Sequence, residues 1–153
     1  MQIRQASTDN EIAIARTLFQ EYAAWLGVDL AFQGFGEELA VLPGVYSPPR
    51  GRLLLASEKG ETAGCIALRP VAELACEMKR LFVRPAFRGR GVGKMLAERV
   101  VEEARMIGYA SMKLDTLPSM GAARRLYEAL GFVPIPAYYD TPLPGTIFME
   151  LQL

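Results

Sequence analysis

The segment from Leu74 to Leu117 limits the fold of this chain more than any other. An apolar run from Leu74 to Val83 is ended by Pro85, which cannot donate to a strand ladder. A helical stripe of Val92, Leu96, Val100, Val101 and Ala104 follows, closed by Gly108. A second strand-like run covers Ser111 to Leu117. Strand, helix and strand in that order imply a right-handed crossover between parallel neighbours in one sheet.

The flanking segments fill out the sheet and its cover. Met1 to Gln5 alternates apolar and polar residues, as a short first strand does. Thr8 and Glu11 form a T-x-x-E capping box ahead of the stripe Ile12, Ala15, Leu18, Phe19, Tyr22, Trp25 and Leu26, and Gly27 is placed to cap its end. A shorter helical pattern spans Phe35 to Leu42, and Leu42 to Gly51, with three prolines and two glycines, reads as a loop. Arg52–Glu58 and Glu61–Arg69 flank Lys59-Gly60 as an antiparallel hairpin. Ser119 is the expected N-cap of a last helix with Ala122, Ala123, Leu126, Tyr127 and Leu130 on one face. Gly131 ends that helix, and Phe132 is placed for the apolar contact beyond the cap. A final strand points Ile147, Met149, Leu151 and Leu153 inward. The expected order is β, α, α, β, β, β, α, β, α, β: a mixed sheet with helices on both faces, α/β or α+β in class, in a single domain over residues 1–153.

Composition narrows the chemistry. The chain has no histidine, which removes Ser-His-Asp and Cys-His nucleophile arrangements and His-based zinc sites. Acid–base work falls to Glu, Asp, Tyr, Lys or Cys. Seventeen basic residues balance seventeen acidic ones, so no overall field draws in nucleic acid or an anionic membrane, and neither is expected as a partner. Cys65 and Cys76 lack metal-ligand spacing and read as reduced core residues in a cytoplasmic protein; no metal is expected. No apolar run of about 18 residues is present to span a membrane, and the first residues lack a signal-peptide pattern.

The neutral total conceals one local excess. Lys79 to Lys94 holds Lys79, Arg80, Arg84, Arg88, Arg90 and Lys94 and no acidic residue. Within it Arg88-Gly89-Arg90-Gly91-Val92-Gly93 joins a strand to a helix. Glycines let backbone N–H groups approach a ligand, and the helix start adds partial positive charge, so the segment suits a diphosphate. A P-loop is excluded because Met95 follows Gly93-Lys94 where Ser or Thr is needed. The dinucleotide fingerprint is excluded because Lys94 stands where its last glycine should.

The R-x-x-G-x-G run from Arg88 to Gly93, five residues after Val83, resembles the acetyl-CoA-binding motif of the GNAT superfamily of N-acetyltransferases. Ala123-x-x-Leu126-Tyr127-Glu128-x-x-Gly131-Phe132 is similar to the family's second cofactor segment, and the element order matches over nearly the whole chain. The resemblance implies a GNAT-like fold: a central, mostly antiparallel mixed sheet with one parallel β-α-β crossover and helices on both faces. It implies acetyl-CoA as co-substrate and a primary amine as acceptor, with small molecules favoured because no net charge signals docking of a basic protein tail.

By the same resemblance, the backbone at Phe82 and Val83 holds the thioester carbonyl and pantetheine arm at a bulge that splays the strand from its neighbour. The amides of Arg88, Gly89, Arg90, Gly91, Val92 and Gly93 hold the pyrophosphate, and Lys94 assists. Glu77 falls at the general-base position, and Tyr127 where a tyrosine protonates the departing thiolate. The family often has Asn where this chain has Met120, and Ser119 is the nearby polar replacement. Glu73 is an alternative base. Tyr46, Arg50, Tyr138, Tyr139 and Asp140 lie in loops of the sort that line an acceptor pocket. A non-catalytic acyl-CoA sensor and a protein N-terminal or lysine acetyltransferase remain alternatives, as does assembly into a homodimer.

Overall fold

The protein is described over residues 1–153 by a computed structural model. Its elements are β1 (Gln2–Gln5), α1 (Asp9–Leu26), α2 (Phe35–Val41), β2 (Arg52–Glu58), β3 (Glu61–Pro70), β4 (Ala75–Val83), α3 (Val92–Ile107), β5 (Ser111–Thr116), α4 (Gly121–Leu130), β6 (Val133–Ile135) and β7 (Ile147–Gln152). The seven strands form one sheet in the order β1-β2-β3-β4-β5-β7-β6. Every adjacent pair is antiparallel except β4 and β5, the parallel pair joined through α3.

Local chemistry accounts for the helix ends. The Thr8 side chain accepts the Glu11 N–H, and the Glu11 carboxylate accepts the Thr8 N–H in return. Gly27, Gly108 and Gly131 end α1, α3 and α4 in the left-handed conformation. Past Gly131 the Phe132 N–H reaches back to the Tyr127 carbonyl at 3.0 Å, and the Phe132 ring packs on Tyr127.

The helices cover both faces. α3 and α4 lie over Leu54, Ile66, Leu68, Met78, Met112, Leu114 and Met149. On the other face α1 lies over Leu53, Leu55, Ala67 and Phe82. Cys76 is buried in the first core and Cys65 in the second; burial pushes the Cys76 thiol up to about 12 and raises that of Cys65 as well.

Three local expectations are corrected. Met120, not Ser119, precedes α4, and no side chain caps that helix. Trp25 is 49 % exposed, outside the core, with the Arg88 guanidinium over its ring. An additional strand, β6, pairs with β7 at the sheet edge. It is three residues long and contains Pro134, a pattern that reads as a loop and is tolerated because the strand is an edge.

The crossing of β3 and β4 positions the site. Cys65 pairs with Phe82 but Ala67 with Lys79, so two steps along β3 match three along β4. The extra residue makes a β-bulge at Arg80, whose φ is 61°. Before the bulge Cys76 and Met78 belong to the core under α3; after it Phe82 belongs to the core under α1. Pairing of β4 with β5 covers only Ala75–Glu77 against Ser111–Lys113, and beyond Glu77 the two parallel strands separate.

Candidate active site

The glycine loop and the start of α3 present a row of open amides. Gly89 and Gly91 have φ of 76° and 77°, and a side chain added at either would meet nothing within 4 Å. The N-cap Gly91 offers no side chain, and the N–H groups of Val92, Gly93 and Lys94 find no backbone acceptor. Such a helix start attracts an anion through its unpaired donors and its dipole.

The basic side chains around this loop do less than their number suggests. Arg84 makes a paired contact with Glu21 at 2.8 and 3.0 Å. Arg90 pairs with Glu58, and Lys94 stands 3.6 Å from Glu98. Arg88 donates to the Val83 carbonyl at 3.0 Å. Lys79 and Arg80 belong to β4 and not to the loop: Lys79 lines a cleft on the other side of the bulge, and Arg80 is buried against Glu38. The anion-binding capacity of the segment therefore rests on its backbone more than on six free cations.

Between the separated ends of β4 and β5 lies a narrow gap lined by Met78, Lys79, Arg80, Leu81, Asp115, Met120 and Tyr127. Tyr127 is 4 % exposed, and burial raises its phenol above the ordinary tyrosine value, so it stays protonated. On the far side of β4, Gly64 faces Val83; a Cβ at Gly64 would come within 2.4 Å of the Phe82 carbonyl oxygen. Gly64→Ala must therefore push β4 away at the bulge. We expect about 1–3 kcal/mol of lost stability, read as a Tm about 2–12 °C lower in thermal unfolding; an unchanged Tm would show that the strands can give without cost.

A cleft of about 650 Å³ opens on the α1 and α2 side of the sheet, lined by Gln33, Arg69, Glu77, Lys79, Lys113 and Tyr138 among others. Glu77 is 2 % exposed at its floor. Arg69 donates to its Oε1 at 2.8 Å and the Tyr138 hydroxyl to its Oε2 at 2.5 Å, which fixes the carboxylate in one orientation. Each oxygen keeps a further lone pair, so the group can still accept a proton. Lys79 Nζ lies 3.9 Å from the same Oε1, and burial, reinforced by Arg80, holds its ammonium below the ordinary lysine value.

The wall of the cleft hangs on one buried ion pair. Arg80 Nε and Nη2 donate to the two Glu38 oxygens at 2.9 Å each, and Nη1 donates to Gln33 Oε1 at 2.9 Å. Burial alone would lower the Arg80 guanidinium, but the Glu38 bonds outweigh it and hold it above its ordinary value. The guanidinium also lies 5.0 Å from the Phe35 ring centroid. α2 buries no side chain fully, so these contacts tie it to β4.

Of the pocket-lining candidates from the sequence, Tyr46, Tyr138 and Tyr139 line this cleft, and Arg50 and Asp140 do not. Arg50 is taken up by the Tyr109 hydroxyl and the carbonyls of Ala72 and Glu73. Glu73 is exposed and does not line the cleft, leaving Glu77 as the buried carboxylate on its floor. Ser119 is exposed ahead of α4. Arg69, Lys113, Gln33 and Glu38 went unnoticed in the sequence. Arg69 and Lys113 were legible in principle, because cross-strand register sets both beside Glu77.

The sequence model of the Acetyltransferase (GNAT) family matches residues 14–132. An uncharacterized N-acetyltransferase of Schizosaccharomyces pombe is 41 % identical over 140 residues, covering 90 % of this chain and 86 % of the relative. An N-acetylaspartate synthetase of Danio rerio is 33 % identical over 117 residues, 75 % of this chain and 42 % of that protein. In fold, a crystal structure of an acetyltransferase from Streptococcus agalactiae superposes with a TM-score of 0.80 at 23 % identity, covering 99 % of this chain and 98 % of that one.

Proposed function

The chain belongs to the acetyltransferase (GNAT) family, and on that premise we propose that it transfers an acetyl group from acetyl-CoA to the primary amine of a small molecule, with Glu77 as general base. The observation that carries this reading is the course of β4. One strand supplies the buried carboxylate at the cleft floor, separates from β5 just beyond it, and leads through the bulge into the glycine loop. A cleft of about 650 Å³ suits a small acceptor, since small-ligand pockets run from about 300 to 1,000 Å³. The name of the Danio rerio relative also points to a small-molecule product.

The donor site fits acetyl-CoA by its chemistry. The open amides from Gly89 to Gly93 suit a pyrophosphate, with Lys94 beside them; the Arg88 N–H, expected to join them, is instead taken by the Pro85 carbonyl at 3.3 Å, and the unpaired edge of β4 at Phe82 and Val83 suits an amide-bearing arm. Ser119 enters the reading as a polar contact for that arm.

In the proposed reaction the acceptor amine, with a pKa of about 10, is mostly protonated near neutral pH and cannot attack a thioester. Glu77 takes the proton directly or through one water, held in aim by Arg69 and Tyr138. A β4 N–H steadies the carbonyl oxygen as it gains charge. Tyr127 then donates a hydrogen bond to the leaving sulfur. A thiolate is a weaker base than a phenolate whose proton affinity burial has raised, so Tyr127 eases departure without surrendering its proton fully.

The test joins calorimetric titration with acetyl-CoA to a thiol-release assay over amines, amino acids, polyamines and aminoglycosides. Binding together with acceptor-dependent thiol release is expected. Binding without turnover across the panel would make the protein a sensor module, and no binding at sub-millimolar acetyl-CoA would remove the donor assignment. Tyr127→Phe should lower kcat by about tenfold or less, the loss of one hydrogen bond.

A further inference from the structure

The acceptor cleft holds more positive charge than its ion pairs consume. Arg69 is bound to Glu77, and Arg80 to Glu38. Lys79 shares Glu77 Oε1 with Arg69 at the longer distance of 3.9 Å, and its Nζ is 3.4 Å from the neutral Gln33 Oε1. Lys113 stands directly across from Glu77 in the β4–β5 register, with its Nζ 5.3 Å from the Tyr138 ring centroid and no carboxylate in salt-bridge range. Of the other carboxylates, Glu37 is exposed on the first turn of α2, at the rim, and Asp115, near enough to act on Lys79, accepts the Tyr139 hydroxyl and makes no salt bridge with either lysine. The Lys79 side chain is only 11 % exposed. A cation withdrawn from water favours an anionic ligand, whose charge replaces lost hydration.

The rim has a different character. Ten large apolar side chains are exposed on the whole molecule, and four of them, Phe32, Val41, Val45 and Val71, line this one cleft. Apolar side chains scattered singly over a surface need no explanation, but a cluster around a cavity mouth marks a binding surface. The floor therefore offers a base flanked by ammonium groups, and the mouth offers apolar walls.

We infer that the acceptor is an apolar α-amino acid: its amine faces Glu77, its carboxylate lies between Lys113 and Lys79, and its side chain meets the rim. The inference rests on the transferase reading above and deepens it. An α-amino acid carries amine and carboxylate on one carbon, which matches a base and two cations converging on the same floor. A plain amine would leave Lys113 without a counterion and Lys79 with only its long, shared contact to Glu77.

The experiment compares matched acceptors in the acetyl-CoA thiol-release assay: leucine against 3-methylbutylamine, phenylalanine against 2-phenylethylamine, and aspartate as a polar carboxylate. We expect kcat/KM to favour each amino acid over its decarboxylated partner by about tenfold or more, the worth of one charge-assisted contact. Leucine and phenylalanine should also exceed aspartate. In Lys113→Met the preference for leucine over 3-methylbutylamine should fall by about tenfold, mainly through KM for leucine, whereas a merely structural role would depress both acceptors alike. Equal or better turnover of the decarboxylated amines, or a preference for aspartate, overturns the inference and leaves the transferase reading standing. Absence of thiol release from every acceptor class overturns both.

Discussion

Glu77→Gln is expected to slow acetyl transfer about 10²–10⁴-fold near neutral pH, the usual worth of a positioned general base. The substitution keeps the shape of the side chain, and the glutamine oxygen can still accept from Tyr138 or Arg69, so the fold should survive. Arg69 is 38 % exposed at its side chain and can recover water when its partner loses charge. What disappears is the group that accepts the proton from the acceptor.

The pH profile separates this from a packing defect. The fraction of free amine rises as pH climbs toward the acceptor's pKa of about 10, and the need for a base falls with it. The deficit of the variant should therefore shrink between pH 7 and pH 10. A deficit that is constant with pH would point to lost geometry, and full activity near neutral pH would remove Glu77 as the base.

The second large effect concerns stability. Glu38→Ala leaves the Arg80 guanidinium, 2 % exposed at its side chain, with Gln33 as its remaining polar partner. Breaking a buried ion pair from one side costs about 3–5 kcal/mol, against a total stability of about 5–15 kcal/mol for a typical domain. For a chain of this size that is a fall in Tm of about 6–20 °C. The double variant Glu38→Leu with Arg80→Met should recover much of the loss, because it removes both charges and keeps their volume. A single variant as stable as the parent would mean that the guanidinium finds water, and that α2 is held to β4 by other contacts.

Much of the fold was legible because its determinants are local. The T-x-x-E box at Thr8, the stripes of α1 and α3, the glycines at 27, 108 and 131 and the hairpin at Lys59-Gly60 each act within a few residues of where they stand. β6 escaped because a three-residue edge strand containing Pro134 has no periodicity to read. Ser119 was the better cap by residue type, but the chain enters α4 through Met120 with no capping side chain. Trp25 fitted the α1 stripe, yet it lies outside the core beside Arg88.

The candidate site divides along the same line. The glycine loop was legible from its spacing, and Glu77 and Tyr127 were singled out by the resemblance; the structure places Glu77 on the cleft floor and Tyr127 in the gap beside β4. The partners of the basic run were not. Arg80 meets Glu38 from 42 residues away, Arg84 meets Glu21 from 63, and Arg90 meets Glu58 from 32. Nothing along the chain announces those meetings.

By itself, then, the sequence determined the order of elements apart from β6, the parallel crossover and the amide-rich loop, because periodicity, caps and glycine freedom act over short distances. The tertiary structure alone decided which charges remain unspent. A single extra residue at Arg80 inverts the facing of β4, and sheet register brings Arg69 and Lys113 beside Glu77. The local excess of positive charge is thereby largely neutralised around the glycine loop, and two of the chain's lysines are left with charge to spare on the floor of the cleft.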